Sequence, residues 1–268
     1  MAQDLTDRVI VITGASSGIG AATALACARA GLHVVLHGRD AARLASIADG
    51  VRAAGRTAVT VAGDVAAPGE SGRLLDAAEA ALGRFDVVFA NAGYGFRRAL
   101  HETSDEELRR IFDVNFFAAA DLLRQAALRL IAAARPGHLL MCSSALALFP
   151  LIRFSAYSAT KAAQHHVCRA MALELRPHRI AVSSVHPIMT RTGFAARAAA
   201  ESGRPLDAAR AYDDVPALLV QNADRVARAV LRCLRRPRPE VWTSRLPRLA
   251  AAAMALFPRL LDVVAVRG

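Results

Sequence analysis

Apolar residues fall along this chain in short continuous runs separated by longer amphipathic stretches. Residues 8–13 read RVIVIT, 32–36 LHVVL, 57–62 TAVTVA, 85–90 FDVVFA, 138–142 HLLMC and 180–185 IAVSSV. Six strands are predicted there. Runs without polar alternation are what a parallel sheet needs when helices cover both of its faces. Between them, residues 19–30, 41–54, 69–82, 104–134 and 156–175 read as helices. Ser104 with Glu107 three residues on carries a capping-box signature. Asp224 is placed to cap a further helix to Arg235, and residues 240–243 to add an edge strand.

Regular strand–helix alternation implies right-handed crossovers and an open sheet. The fold class expected is α/β: one doubly wound, Rossmann-like domain over residues 1–268, with a mostly parallel seven-stranded sheet flanked by helices. Its 268 residues suit one large core. Residues 190–221 break the rhythm with Gly193, Gly203, Pro205 and Pro216. An insertion that long reads as a substrate-binding or lid segment. Residues 244–268 form a basic, apolar C-terminal extension. Its longest uncharged run, 249–258, is too short to span a bilayer.

Charge changes the picture only toward the end. The net charge is +11, and residues 225–268 hold ten arginines against Glu240 and Asp262. Two readings stay open: a solvated arginine-rich face, or attraction to an anionic surface, such as a membrane, or an anionic substrate. No aromatic-interleaved basic strand accompanies the charge, so no nucleic-acid role is expected. Cys27, Cys142, Cys168 and Cys233 are far apart and form no CxxC pair. Reduced buried thiols in a cytoplasmic protein follow. The opening MAQDLTDR lacks a basic n-region followed by an apolar h-region. No metal site is expected. His165 and His166 read as helix-surface residues, and His186 as a strand-end residue.

Candidate chemistry sits at two places. TGASSGIG, residues 13–20, lies between the first strand and its helix. Gly14, Gly18 and Gly20 allow a sharp turn, and the amides of Ser16, Ser17 and Ile19 lie where a pyrophosphate would meet the helix's positive end. The second strand ends HGRD. Gly38 offers no acid for a ribose hydroxyl, whereas Arg39 suits a 2′-phosphate; Asp40 reads as a helix cap. NADP(H) is therefore expected ahead of NAD(H), which stays open. The second place is YSATK, residues 157–161. Lys161 is the one lysine among 34 basic side chains. Tyr157 and Lys161, four apart on a helix, share a face, where an ammonium would lower a phenol's pKa.

With both motifs on the page, the chain resembles the short-chain dehydrogenase/reductase family from about residue 8 to residue 242. Asp64-Val65 is similar to the family's adenine-side pair and Asn91-Ala92-Gly93 to its NAG motif. Asn115, Ser144, Tyr157 and Lys161 are similar to its catalytic tetrad, the step from Ser144 to Tyr157 selecting Ser144 over Ser143. Pro187 and Thr192 match the segment after the sixth strand, but Ile188 stands where the family usually has glycine. The resemblance implies hydride transfer between the nicotinamide and a carbonyl or secondary alcohol. Tyr157 would exchange the proton, Ser144 bind the carbonyl oxygen, Lys161 hold the ribose, and Asn115 anchor a water leading from Lys161 to solvent. Tyr94, Phe96, Leu146, Phe149, Phe154, Ile188 and Phe194 are the substrate-pocket candidates, an apolar set with Arg153 the one basic residue beside it. A homodimer or homotetramer is expected through the two long helices. The alternative is a non-catalytic dinucleotide-binding or membrane- or partner-docking protein on the same fold.

Overall fold

A computed structural model describes residues 2–203 and 220–257. Seven strands form one sheet in the order β3-β2-β1-β4-β5-β6-β9, every neighbouring pair parallel. They are β1 (Val9–Thr13), β2 (His33–Gly38), β3 (Ala58–Ala62), β4 (Val87–Ala90), β5 (Gly137–Cys142), β6 (Ile180–His186) and β9 (Glu240–Trp242). This is an α/β, Rossmann-like fold with helices on both sheet faces.

Side-chain alternation divides the core in two. Ile10, Ile12, Val34, Leu36 and Phe89 point to one face and pack on α1 (Gly18–Arg29), α2 (Ala41–Ala53) and α8 (Ala223–Arg235). Val9, Val11, Val35, Val88 and Leu139 point to the other and pack on α3 (Glu70–Leu82), α5 (Ala118–Ala132) and α6 (Ser155–Glu174). Both faces are covered, which explains why the strands read as unbroken apolar runs. The turns following β1, β4, β5 and β6 consequently all open at one end of the sheet, where ligands bind in such folds.

Two expectations need correction. The predicted helix over 104–134 is not uniform. Its start is capped as expected, Ser104 Oγ accepting from the Glu107 amide at 3.2 Å. It then runs as α4 (Asp105–Phe112), widens to a π-helical turn over Asp113–Phe117, and continues as α5. A widened turn rotates the side chains and loosens the main-chain ladder around its centre, here Asn115. The cap of α8 is not Asp224 but Asn222, whose side chain accepts from the Arg225 amide at 3.0 Å. Asp224 sits instead in the first turn, where its charge suits the helix dipole.

Beyond β6, β7 (Met189–Arg191) pairs in parallel with β8 (Val220–Asn222) as a separate two-stranded sheet, with α7 (Phe194–Glu201) between them. These elements are the described parts of the expected 190–221 insertion; Pro205 and Pro216 lie outside the described residues. Of the C-terminal extension, α9 (Arg245–Leu256) and Phe257 are described, and 258–268 lie outside. No helix among the described residues is long and apolar enough to cross a membrane.

Candidate active site

The turn after β1 is shaped by what its glycines lack. Gly18 has φ +57°, and a Cβ there would sit 3.2 Å from Thr192 of the segment after β6. A Cβ on Gly20 would lie 2.2 Å from the Gly14 carbonyl oxygen. Ser17 precedes α1 in extended conformation without a side-chain cap, so no hydroxyl of its own covers the helix's first amides. Asn91, just past β4, donates through Nδ2 to the Thr13 and Gly14 carbonyls at 3.0 and 3.3 Å. Thr13 Oγ1 accepts from the amides of Asn91 and Ala92 at 3.0 Å each. A backbone cradle with no Cβ in its way, opening on a helix N-terminus, fits a dinucleotide pyrophosphate.

At the end of β2, Asp40 accepts from the Arg43 amide at 3.0 Å and faces Arg43 Nε at 3.1 Å. It is a helix cap, as expected from the sequence. Arg39 is exposed beside it. Asp64 accepts from the Ala66 amide and pairs with Arg110 of α4 at 2.6 Å. Burial would raise its carboxyl, but the Ala66 amide, Arg110 and Arg39 outweigh that and hold it low. Val65 and Ala92 line a small cavity against Thr13 and His37.

The four tetrad candidates converge from three elements. Asn115 is fully buried. Its Oδ1 accepts from the Tyr94 amide at 3.0 Å, and its Nδ2 donates to the Tyr94 carbonyl at 2.9 Å and to Thr160 Oγ1 at 3.2 Å. Ser144 ends β5's following turn with its Oγ accepting from the Leu146 amide at 3.1 Å. Ser143, its neighbour, donates instead to the Lys161 carbonyl at 2.8 Å and ties β5 to α6. Lys161 is 4% exposed; its Nζ donates to the Cys142 carbonyl at 2.7 Å and lies 5.5 Å from the Tyr157 ring centroid. A Cβ on Gly93 would meet Asn115 Oδ1 at 3.0 Å and Lys161 Nζ at 3.6 Å, so the glycine after β4 packs directly on this group.

These motifs occupy the positions, and the order, of a known family. A model of the short chain dehydrogenases matches residues 8–203. The chain belongs to the short-chain dehydrogenase/reductase family. It is an oxidoreductase acting on alcohols or carbonyls with a nicotinamide cofactor. The cis-4-hydroxycyclohexanecarboxylate dehydrogenase of Sinomonas cyclohexanicum is 37% identical over 188 residues, covering 70% of this chain and 75% of that one. A family member from Burkholderia phymatum, solved in complex with NAD, superposes with TM-score 0.86 at 25% identity, covering 96% of each chain. One from Burkholderia cenocepacia, solved with NADP, gives 0.77 at 27% identity, covering 90% of this chain and 97% of its own.

The electrostatics of this dehydrogenase's site are set by burial. Burial, followed by the Cys142 thiol, pushes the Tyr157 phenol up from its ordinary value, while the Ser144 hydroxyl beside it pulls the other way. Burial brings the Lys161 ammonium down to about 8. Burial outweighs the Ser144 hydroxyl, so the phenol stands above its ordinary value in this geometry. His186 is buried and neutral. Its Nδ1 lies 3.0 Å from the Ser144 carbonyl and its Nε2 2.8 Å from Ser184 Oγ, and its ring stacks on Trp242 at 4.6 Å. Burial brings it down to about 4. It braces the serine turn and is not a base. His165 sits against it edge-on.

The pocket candidates are not all alike. Phe154 and Phe194 flank Tyr157, ring centroids 6.4 and 5.7 Å away. A Cβ on Gly95 would lie 2.9 Å from the Phe194 ring and 3.0 Å from the Tyr157 ring. Phe96 is 4% exposed and packs with Ile111 and Ala156, with Tyr94 and Tyr157 against that cluster. Leu146, Phe149 and Ile188 are half-buried on the turns after β5 and β6. Arg153 pairs with Glu102 at 2.8 Å. Sequence reasoning missed Arg110, Thr160 and Gln164. Thr160 and Gln164 flank Lys161 by one and three residues on α6, the only signal that could have found them.

Proposed function

We propose that this dehydrogenase transfers a hydride between NADP(H) and a hydrophobic ketone, aldehyde or secondary alcohol. The observation that carries the cofactor preference is at the end of β2. Gly38 has no side chain, and Asp40 is committed to Arg43, so neither offers a carboxylate to ribose hydroxyls. Arg39 is left exposed beside them, suited to a 2′-phosphate. On the substrate side, the aromatic rings around Tyr157 favour an apolar partner, and Arg153 is already paired. The relative named for a hydroxylated cyclohexane acid supports an alcohol as the reacting group.

The bound nicotinamide supplies or accepts the hydride. The glycine turn and the N-terminal end of α1 would hold the pyrophosphate, Asp64 and Val65 would lie on the adenine side, and Asn91-Ala92-Gly93, Pro187 and Thr192 would complete the cofactor site. In reduction, Tyr157 gives its phenolic proton to the developing alkoxide oxygen, and Ser144 Oγ–H hydrogen-bonds that oxygen. A phenol with a pKa of about 10 or above is protonated at neutral pH, so Tyr157 starts as a proton donor. Lys161 would offer its remaining N–H to the nicotinamide ribose.

Titration of the protein with NADPH and with NADH, followed by nucleotide fluorescence, tests the reading. Arg39→Ala is expected to weaken NADPH by about tenfold or more and to leave NADH unchanged. Equal affinity of the wild type for both would overturn the NADP preference.

The same reading includes a homodimer or homotetramer through the two long helical stretches, where the π turn, α5 and α6 leave Phe117, Leu128 and Leu173 exposed at 58, 55 and 73%. Light scattering tests it. A second reading adds weak docking on an anionic membrane surface. Leu249 and Leu256, seven apart on α9, are both exposed, and the surrounding 225–268 stretch is strongly basic. Flotation with anionic vesicles, with and without residues 244–268, separates it from packing alone.

A further inference from the structure

Gln164 is completely buried one turn beyond Lys161 on α6. A buried amide must satisfy both its ends. Its Oε1 accepts from Lys161 Nζ at 3.1 Å, and its Nε2 donates to the main-chain carbonyl of Asn115. One side chain thus joins two of the four tetrad residues.

The joint is specific in what it leaves out. The Asn115 side chain is fully engaged by Tyr94 and Thr160. Asn115 therefore reaches Lys161 through its carbonyl and Gln164, and that carbonyl lies at the centre of the π-helical turn. Of the three Nζ protons, one goes to the Cys142 carbonyl and one to Gln164. Two fixed acceptors set the direction of the third. A side-chain amide does not ionise near neutral pH, so this link orients the ammonium and relays no proton.

We propose that Gln164 is a positioning residue for Lys161: an amide strut between the ammonium and the Asn115 carbonyl, standing where the family resemblance implied a water. The proposal rests on the reading of Lys161 as part of the hydride-transfer site. Gln164 Oε1 also favours the charged form of the amine and opposes the burial that lowers it. The ionisable groups set against Lys161 are the Cys142 thiol from β5 and the Tyr157 phenol from its own helix, whereas the π turn presents the uncharged Asn115.

The chain's one lysine makes the test direct. Protein labelled with ¹³C-lysine gives a single Cε resonance, and its titration reads the Lys161 pKa without substrate or cofactor. Gln164→Met, of similar volume but with no acceptor, is expected to lower that pKa. Gln164→Glu is expected to raise it by about one unit or more. Opposite shifts from two similarly sized residues are not what a space-filling role would give. An unchanged pKa in folded Gln164→Met overturns the proposal. Should that variant fail to fold, Gln164→Glu decides, since a carboxylate held on the ammonium must raise it and an unchanged value overturns the strut.

Turnover then separates the two readings. With NADPH and a carbonyl substrate, Gln164→Met is expected to lower kcat with little change in the carbonyl's KM, and Gln164→Glu to recover part of it. Shifted pKa values with kcat untouched would support the strut and overturn Lys161 as a member of the reacting site.

Discussion

Two walls of the same crevice are built on opposite principles. The nucleotide wall, after β1 and β4, is made of backbone: Gly14, Gly18 and Gly20 matter for the Cβ atoms they lack, and Asn91 laces the turn together. The catalytic wall, after β5 and along α6, is made of side chains: Asn115, Ser144, Tyr157, Lys161 and Gln164, held by hydrogen bonds that cross between elements. The first wall gives a ligand shape and amides. The second gives it groups whose protonation matters. Damage to the first should appear in folding and cofactor binding, and damage to the second in turnover.

The largest effect is expected on the second wall. Tyr157→Phe removes the phenolic proton and leaves the ring's packing on Phe154 and Phe194. Turnover of the best substrate from a carbonyl panel should fall by about 10²–10⁴-fold, or about 3–5 kcal/mol, with NADPH affinity kept. Parallel loss of both would erase the distinction between the walls.

Acid is the next lever. His138, at the far end of β5 with Ser183 at 2.7 Å, and His186, behind Ser144, are both brought by burial to about 4. Unfolded, each returns to its ordinary value near 6.5. The unfolded chain then binds more protons between these values, so stability present above pH 6.5 is lost as pH falls toward 4. The loss is on the order of 3 kcal/mol per histidine at most. Urea unfolding across that range should show it, and His186→Gln should reduce the slope. A slope unaltered by that variant would show that His186 is not held neutral.

The smallest effect is expected on the first wall. Gly20→Ala forces a methyl to within contact of the Gly14 carbonyl, so the turn must shift. A stability loss of about 1–3 kcal/mol is expected from thermal unfolding, together with weaker binding of both nucleotides. If NADH binding survived intact, the cradle would not be where the pyrophosphate sits.

The same contrast governs what was legible in the sequence. The nucleotide wall is local: eight consecutive residues spell the turn, and the strand before it is apolar throughout, so both could be read directly. The tetrad candidates could be named by resemblance, but their connections could not. Asn115 and Lys161 are 46 residues apart in the numbering and meet through a π turn. That turn is invisible to helical periodicity, because the apolar positions of 104–134 continue through it. The α8 cap was misplaced for a related reason: β8 ends at Asn222, so the helix starts earlier than its charge pattern indicates. The phenol's upward shift was missed because it depends on burial, which spacing does not report.

Lys161 is both the chain's single lysine and one of its buried polar groups. A lysine-directed label therefore finds no lysine on the folded surface and one at the centre of the site. Its rate of incorporation becomes a clock for opening of the crevice, and a bound nucleotide that keeps the site shut should stop that clock.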